Sequence, residues 1–183
     1  MSQKNNLRNK RKLAFLVHAG GSHTNLKAVR SAIDDSRINA QISVVVTDDE
    51  PLPDFEKISP DYICLAGWKK IIPIEQINKY KILNIHPGLI PHTVDGRVTN
   101  PDGTEGLWNK GMYTDKAIQN FLEQKSTYAG SSLHYLTLDF DFGPVLGRTF
   151  EKIEEDDSLE SLYGRLKKKE NQLYVDILKK LCK

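Results

Sequence analysis

Asn84 and His86 stand one residue apart in Asn84-Ile85-His86-Pro87-Gly88, at the end of a short apolar run. Residues two apart on a strand project to the same side, so an amide and an imidazole would share one face there. Such a pair suits a carbonyl whose oxygen takes on charge, because the amide donates a hydrogen bond and the imidazole carries a proton. A polar strand end with a capping role is the alternative. The second candidate is Asp139-Phe140-Asp141-Phe142-Gly143-Pro144. Two carboxylates flanked by aromatics would be partly desolvated, which raises a carboxyl pKa. A hairpin turn whose aspartates make turn hydrogen bonds explains the same residues and is, taken alone, the preferred reading. The third is Gly20-Gly21-Ser22-His23-Thr24-Asn25. Glycines let backbone approach an anion, and free amides at a helix N-terminus point at it. The run matches neither the Walker pattern nor the dinucleotide fingerprint, and a plain strand-to-helix turn accounts for it equally well. His134 reads by default as a satisfied, half-buried strand residue. Trp68-Lys69-Lys70 is a ligand-facing or merely solvated loop, and Lys167-Lys168-Lys169 a wet helix face.

The elements that must position these residues show as hydrophobic patterns. Leu13–Val17 is an apolar run bounded by glycines, as expected of a strand buried on both faces. Thr24 or Asn25 can cap a helix carrying Leu26, Val29 and Ile33. Ile42–Thr47 and Tyr62–Ala66 read as strands, Ile74–Tyr80 as a short helix and Ile82–Ile85 as a fourth strand. Asp48–Asp54, with two prolines and four acids, is a loop. Pro87 to Gly111 holds three prolines and five glycines, too much punctuation for regular structure, and a loop of that length is usually functional or mobile. Thr114 caps a helix through Leu122. Ser131–Thr137 and Val145–Phe150 form an antiparallel hairpin, and Ser158 opens a final amphipathic helix. Strands alternating with helices predict an α/β fold with a largely parallel sheet.

Composition narrows the function. The 183 residues are 39% hydrophobic, too apolar for a disordered chain and of a length suited to one domain. With 26 basic and 24 acidic side chains, no broad electropositive surface for nucleic acid is implied. No apolar stretch reaches the roughly 20 residues that span a bilayer. Cys64 and Cys182 match neither a disulfide framework nor a metal-ligand pattern. The polar, basic start is no secretory signal. A flexible tail over residues 1–11, a single domain over 12–183 and a reduced, cytoplasmic setting are therefore expected.

In order, Leu65-Ala66-Gly67, Asn84-x-His86-Pro87, Ser131-Ser132-Leu133-His134-Tyr135, Asp141-x-Gly143-Pro144 and Glu170-Asn171-Gln172-Leu173-Tyr174 resemble the folate-dependent formyltransferase family. Single motifs are weak, whereas the ordered set covers nearly the whole chain. The resemblance implies an α/β, Rossmann-like fold with a mostly parallel sheet, flanking helices and a C-terminal antiparallel hairpin. It implies formyl transfer from 10-formyltetrahydrofolate to the amine of glycinamide ribonucleotide in purine biosynthesis, with small-molecule substrates, no metal, no nucleic acid and no membrane; a homodimer is compatible with it. Asn84 would hold the developing oxyanion, His86 would be a donor or proton carrier, Asp141 would pair with it, and His134 would stand behind them. Gly20, Gly21, Ser22, Thr24 and Asn25 would hold the phosphate, and Glu170 the ribose hydroxyls. The folate would meet Trp68, Lys69, Lys70, Ile71, Ile72, Leu138, Phe140, Asp141 and Phe142, with Leu65, Ile71 and Phe140 as apolar wall.

Four departures from the family pattern stand out. His23 and Thr24 lengthen the phosphate loop, Gly88 replaces a common serine, and Lys167 replaces a residue that contacts the ribonucleotide. Thr47 to Pro60 is short, as if a strand and helix were missing, while His92 to Lys110 is long and either reshapes the cleft or patches an edge. An amino sugar nucleotide or aminoacyl-tRNA as acceptor, hydrolysis of the formylfolate, and an inert ligand-binding α/β module are the alternatives. The first two belong to relatives with an added domain, which a chain of 183 residues is not expected to carry.

Overall fold

A computed structural model of the chain describes residues 10–183. In chain order the elements are β1 (Arg11–Val17), α1 (Thr24–Asp34), β2 (Ala40–Thr47), α2 (Phe55–Ile58), β3 (Tyr62–Ala66), α3 (Ile74–Lys79), β4 (Ile82–His86), α4 (Thr114–Glu123), β5 (Tyr128–Tyr135), β6 (Val145–Lys152) and α5 (Leu159–Leu181). The strands follow the order β2-β1-β3-β4-β5-β6. Residues 1–9 of the expected tail lie outside the described residues, and β1 already includes Arg11. The chain divides into two compact units. One runs to Leu83 and also includes Tyr174–Lys183; the other is Asn84–Leu173.

In the first unit β1 pairs in parallel with both β2 and β3. Leu13 to Val17 are wholly buried, as a strand covered on both faces requires. Neither Thr24 nor Asn25 caps α1. The N-cap is His23, held left-handed at φ 53°, a conformation that lets the chain turn sharply out of the loop after β1. The short segment after β2 contains one helical turn, α2, capped by Asp54, whose side chain accepts from the Glu56 and Lys57 amides.

In the second unit β5 and β6 form the expected antiparallel pair. Its core joins Ile118 and Phe121 of α4, Ala129 of β5, and Leu162 and Leu166 of α5. The β5–β6 register slips between Leu133 and His134, so that His134 lies opposite Val145. Such irregularities re-aim side chains near sites. The long segment between β4 and α4 carries no helix or regular strand but is tied down by its own hydrogen bonds. A bridge joins Thr99 to Glu105, and the Gly106 and Leu89 amides donate to the Val98 and Leu107 carbonyls.

Candidate active site

The second unit assembles the residues expected to act together. Asn84 and His86 leave β4 two residues apart, and β5 supplies His134. The Asn84 Nδ2 group donates to His134 Nε2 at 3.2 Å, and His134 Nδ1 donates to the Tyr135 carbonyl at 3.0 Å. The two bonds agree on one neutral tautomer, with the hydrogen on Nδ1 and the lone pair on Nε2. Burial is the main cause that pushes the His134 pKa down to about 4; the nearby His86 adds to it, against weaker opposing effects of the Tyr135 carbonyl and Asp141. Because the His134 lone pair needs a donor, the Asn84 amide is held with its nitrogen toward the ring. One amide hydrogen remains for another acceptor.

His86 is 3% exposed and lies with Nδ1 3.4 Å from Asp141 Oδ1. Asp141 comes from the β5–β6 connection, at a left-handed φ of 46°. That connection is closed by the Thr137 hydroxyl, which donates to the Phe142 carbonyl at 2.6 Å. Asn84, His134, His86 and Asp141 thus form one cluster, linked by hydrogen bonds, by an ion-pair contact and by the field that His86 and Asp141 exert on His134.

Further contacts complete this cluster. The Trp108 carbonyl accepts from His86 Nε2 at 2.9 Å, and the Gly111 amide donates to Asp141 Oδ2 at 2.8 Å. Ser132, fully buried, donates to the Gly88 carbonyl at 2.7 Å and accepts from the Ile90 amide at 3.0 Å, which pins the chain behind His86. Ser132 lies in a motif quoted for the resemblance. The backbone contacts of Trp108 and Gly111 have no side-chain signature that a sequence could show.

The first unit holds the loop expected to bind phosphate. The Gly21 amide turns back to the His18 carbonyl, and the His23 ring donates to the same oxygen at 2.7 Å. Thr24 presents a hydroxyl without a hydrogen-bond partner at the first turn of α1. Beneath the loop, Asp48 accepts from the Ala19 amide at 3.0 Å and from His18 Nδ1 at 2.8 Å. Burial alone would raise this carboxyl, but the Ala19 amide and the His18 ring outweigh it and hold Asp48 below the usual carboxylate range. Lys69, expected at the folate, donates to His18 Nε2 at 3.0 Å, completing a chain from Asp48 through His18.

The expected folate wall divides. Ile71 is 88% exposed, and Leu138 and Phe140 also stand open on the surface. Leu65 and Ile72 are buried among the core residues, since Leu65 lies inside a strand covered on both faces. Glu170 is held by side chains of its own unit. It is 2% exposed, one oxygen accepts from Ser131 at 2.6 Å, and the other lies 3.4 Å from Lys167 Nζ. These partners compensate the burial of the carboxylate and fix its orientation. Among the described residues, no group of three or more His, Cys, Asp or Glu is placed to hold a metal ion, and no helix is long and apolar enough to cross a membrane.

Comparison with known proteins places the chain in a family. A phosphoribosylglycinamide formyltransferase described as chloroplastic, from Arabidopsis thaliana, is 26% identical over 208 residues, covering 94% of this chain and 66% of the relative. The counterpart from Vigna unguiculata is 25% identical, and 61% of its length is covered. The chain thus spans less than two thirds of these relatives. The crystal structure of phosphoribosylglycinamide formyltransferase from Bacillus halodurans superposes with a TM-score of 0.74 at 21% identity, over 93% of this chain and 95% of that one, and shares its fold. A family model described as formyl transferase matches residues 50–178, well over half the sequence and all of the second unit, and the chain therefore belongs to the formyl transferase family.

Proposed function

We propose that this protein transfers a formyl group from 10-formyltetrahydrofolate to the amine of glycinamide ribonucleotide, as a step of purine biosynthesis. The observation that carries the reading is the cluster in which Asn84, oriented by neutral His134, stands with the His86–Asp141 pair. Attack of a neutral amine on a formyl carbon puts negative charge on the carbonyl oxygen and leaves an extra proton on nitrogen. Asn84 answers the first with its remaining amide hydrogen. The His86–Asp141 pair answers the second by taking up the proton, directly or through water, and returning it to folate N10 as the bond from N10 to the formyl carbon breaks and the carbonyl re-forms. The exposed Leu138 and Phe140 offer apolar surface to the folate, and the turn from Gly20 to Asn25 offers the amides of α1 to the phosphate. Cytoplasm is the compartment this reading assigns, in keeping with two free thiols, although the plant relatives are described as chloroplastic.

The test is release of tetrahydrofolate when the protein is mixed with 10-formyltetrahydrofolate and glycinamide ribonucleotide. Release that depends on the ribonucleotide supports the proposal. Release without any amine identifies a hydrolase, and no release with any amine an inert module; either overturns it. Asp141→Asn is expected to lower turnover by more than about 100-fold, since acid–base help is typically worth 10²–10⁴. A loss under about tenfold removes Asp141 from proton transfer.

A further inference from the structure

The stretch Trp108–Gly111 touches both members of the His86–Asp141 pair. The Trp108 carbonyl accepts from His86 Nε2, its indole Nε1 donates to the Asp141 carbonyl at 2.8 Å, and the Gly111 amide donates to Asp141 Oδ2. The Trp108 ring lies against Phe142, with centroids 5.6 Å apart, so it also steadies the residue after Asp141. The stretch is itself anchored. Asn109, buried and left-handed at φ 56°, donates to the Pro87 and Ala117 carbonyls and accepts from Asn120 at 2.8 Å. Three polar groups from four consecutive residues are thus aimed at one reactive pair.

The direction of the first bond has a chemical consequence. A carbonyl only accepts, so the ring nitrogen facing it must carry a hydrogen. Nδ1 is then the one ring atom at which His86 can gain or lose a proton, and Nδ1 is the atom that faces Asp141. Gly88 belongs to the same device. A Cβ at this position would lie 1.8 Å from the Trp108 carbonyl oxygen and 2.8 Å from His86 Nε2, so a side chain here would force the carbonyl off the ring. The departure of Gly88 from serine and the long segment that ends in Trp108 therefore belong together.

We propose that Trp108–Gly111 is a positioning strap: it fixes the hydrogen of His86 on Nε2 and holds Asp141 so that the pair exchanges its proton between Nδ1 and Oδ1. Its effect on turnover rests on the formyl-transfer reading, whereas the fixed tautomer is a property of the free protein. Two experiments separate these. Long-range proton–nitrogen NMR of the histidine-labelled full chain should show neutral His86 with its hydrogen on Nε2, and Gly88→Ala should introduce the Nδ1–H form. A wild-type ring with its hydrogen on Nδ1 overturns the proposal, whether or not the protein transfers formyl groups. In the assay above, Trp108→Phe keeps an aromatic ring and the backbone carbonyl but removes the indole donor. It should lower kcat about tenfold while the KM for the ribonucleotide stays within about twofold. Unchanged kcat, or a loss confined to KM, also overturns it. Should the wild type transfer no formyl group at all, the formyl-transfer reading fails and the NMR result alone decides the strap.

Discussion

His134 shows how a residue with no free proton to give can still shape chemistry. Its two ring nitrogens are committed, one to the Tyr135 carbonyl and one to Asn84, and the bond accepted from Asn84 requires the neutral ring. The native pKa of about 4 lies below the ordinary 6.5 of an unfolded chain, so the unfolded chain binds this proton first as pH falls. The His134 contribution to stability is complete above pH 6.5 and is lost between 6.5 and 4. At 1.36 kcal/mol per unit, it amounts to at most about 3 kcal/mol. His134→Gln should therefore flatten the acid limb of stability, measured by urea unfolding at pH 7 and pH 5, while being less stable than the wild type at pH 7. Equal slopes in the two proteins would remove His134 as a buried neutral group. The side chains of this cluster were legible in the sequence because amide, imidazole and carboxylate are chemically conspicuous and arrive in a recognisable order. The contacts that Trp108 and Gly111 make with the pair were not, since most of them run through backbone atoms that every residue possesses. Glu170 shows the converse: its carboxylate is conspicuous in the sequence, but its partners Ser131 and Lys167 are visible only in the fold.

At the scale of elements, the β5–β6 connection presents Asp141, and Gly143 is what lets it close. A Cβ at Gly143 would stand 2.2 Å from the Tyr135 carbonyl oxygen and 2.8 Å from the Thr137 methyl, at a φ of 156°. Backbone cannot retreat as a side-chain tip can, so Gly143→Ala should displace the turn and the carboxylate with it. We expect a destabilisation of about 1–3 kcal/mol, in the range of strained backbone positions, together with loss of the proposed formyl transfer. Gly164, on the exposed side of α5, has nothing within 4 Å of an added Cβ. Gly164→Ala should instead stabilise the protein by about 0.5–1 kcal/mol with turnover unchanged, because alanine loses less backbone entropy in a helix. Thermal melts of the two variants check both signs, and the same sign for both would show that local packing does not set the difference. Sequence periodicity placed β3 at its true bounds and α5 within a residue, because continuous burial and helical spacing leave plain patterns. It missed the cap of α1, since a histidine at φ 53° is a choice made by the loop's hydrogen bonds and not by intrinsic preference.

The boundary between the two compact units has no linker composition. It falls inside β4 and inside α5, both continuous elements, so no run of prolines, glycines or charges marks it and a single domain was the natural expectation. The first unit takes its last residues from the far end of the sequence. Tyr174, fully buried, donates its hydroxyl to the Leu65 carbonyl at 3.1 Å and lies 6.2 Å from Phe15 between ring centroids. Val175, Ile177, Leu178 and Cys182 are buried with it. Tyr174→Phe removes one hydrogen bond and should cost about 1 kcal/mol. Ending the chain at Leu173 removes the whole apolar face, each large side chain of which contributes about 1.5–3 kcal/mol of burial, against a typical total stability of about 5–15 kcal/mol. The shortened protein should therefore lose the ordered state of β1, β2 and β3, although every residue of those strands is still present. Amide hydrogen exchange on the full and shortened chains measures this directly. Protection of Leu13–Val17 that survives the truncation unchanged would mean that the N-terminal strands are held by their own pairing, and that the C-terminal helix only decorates them.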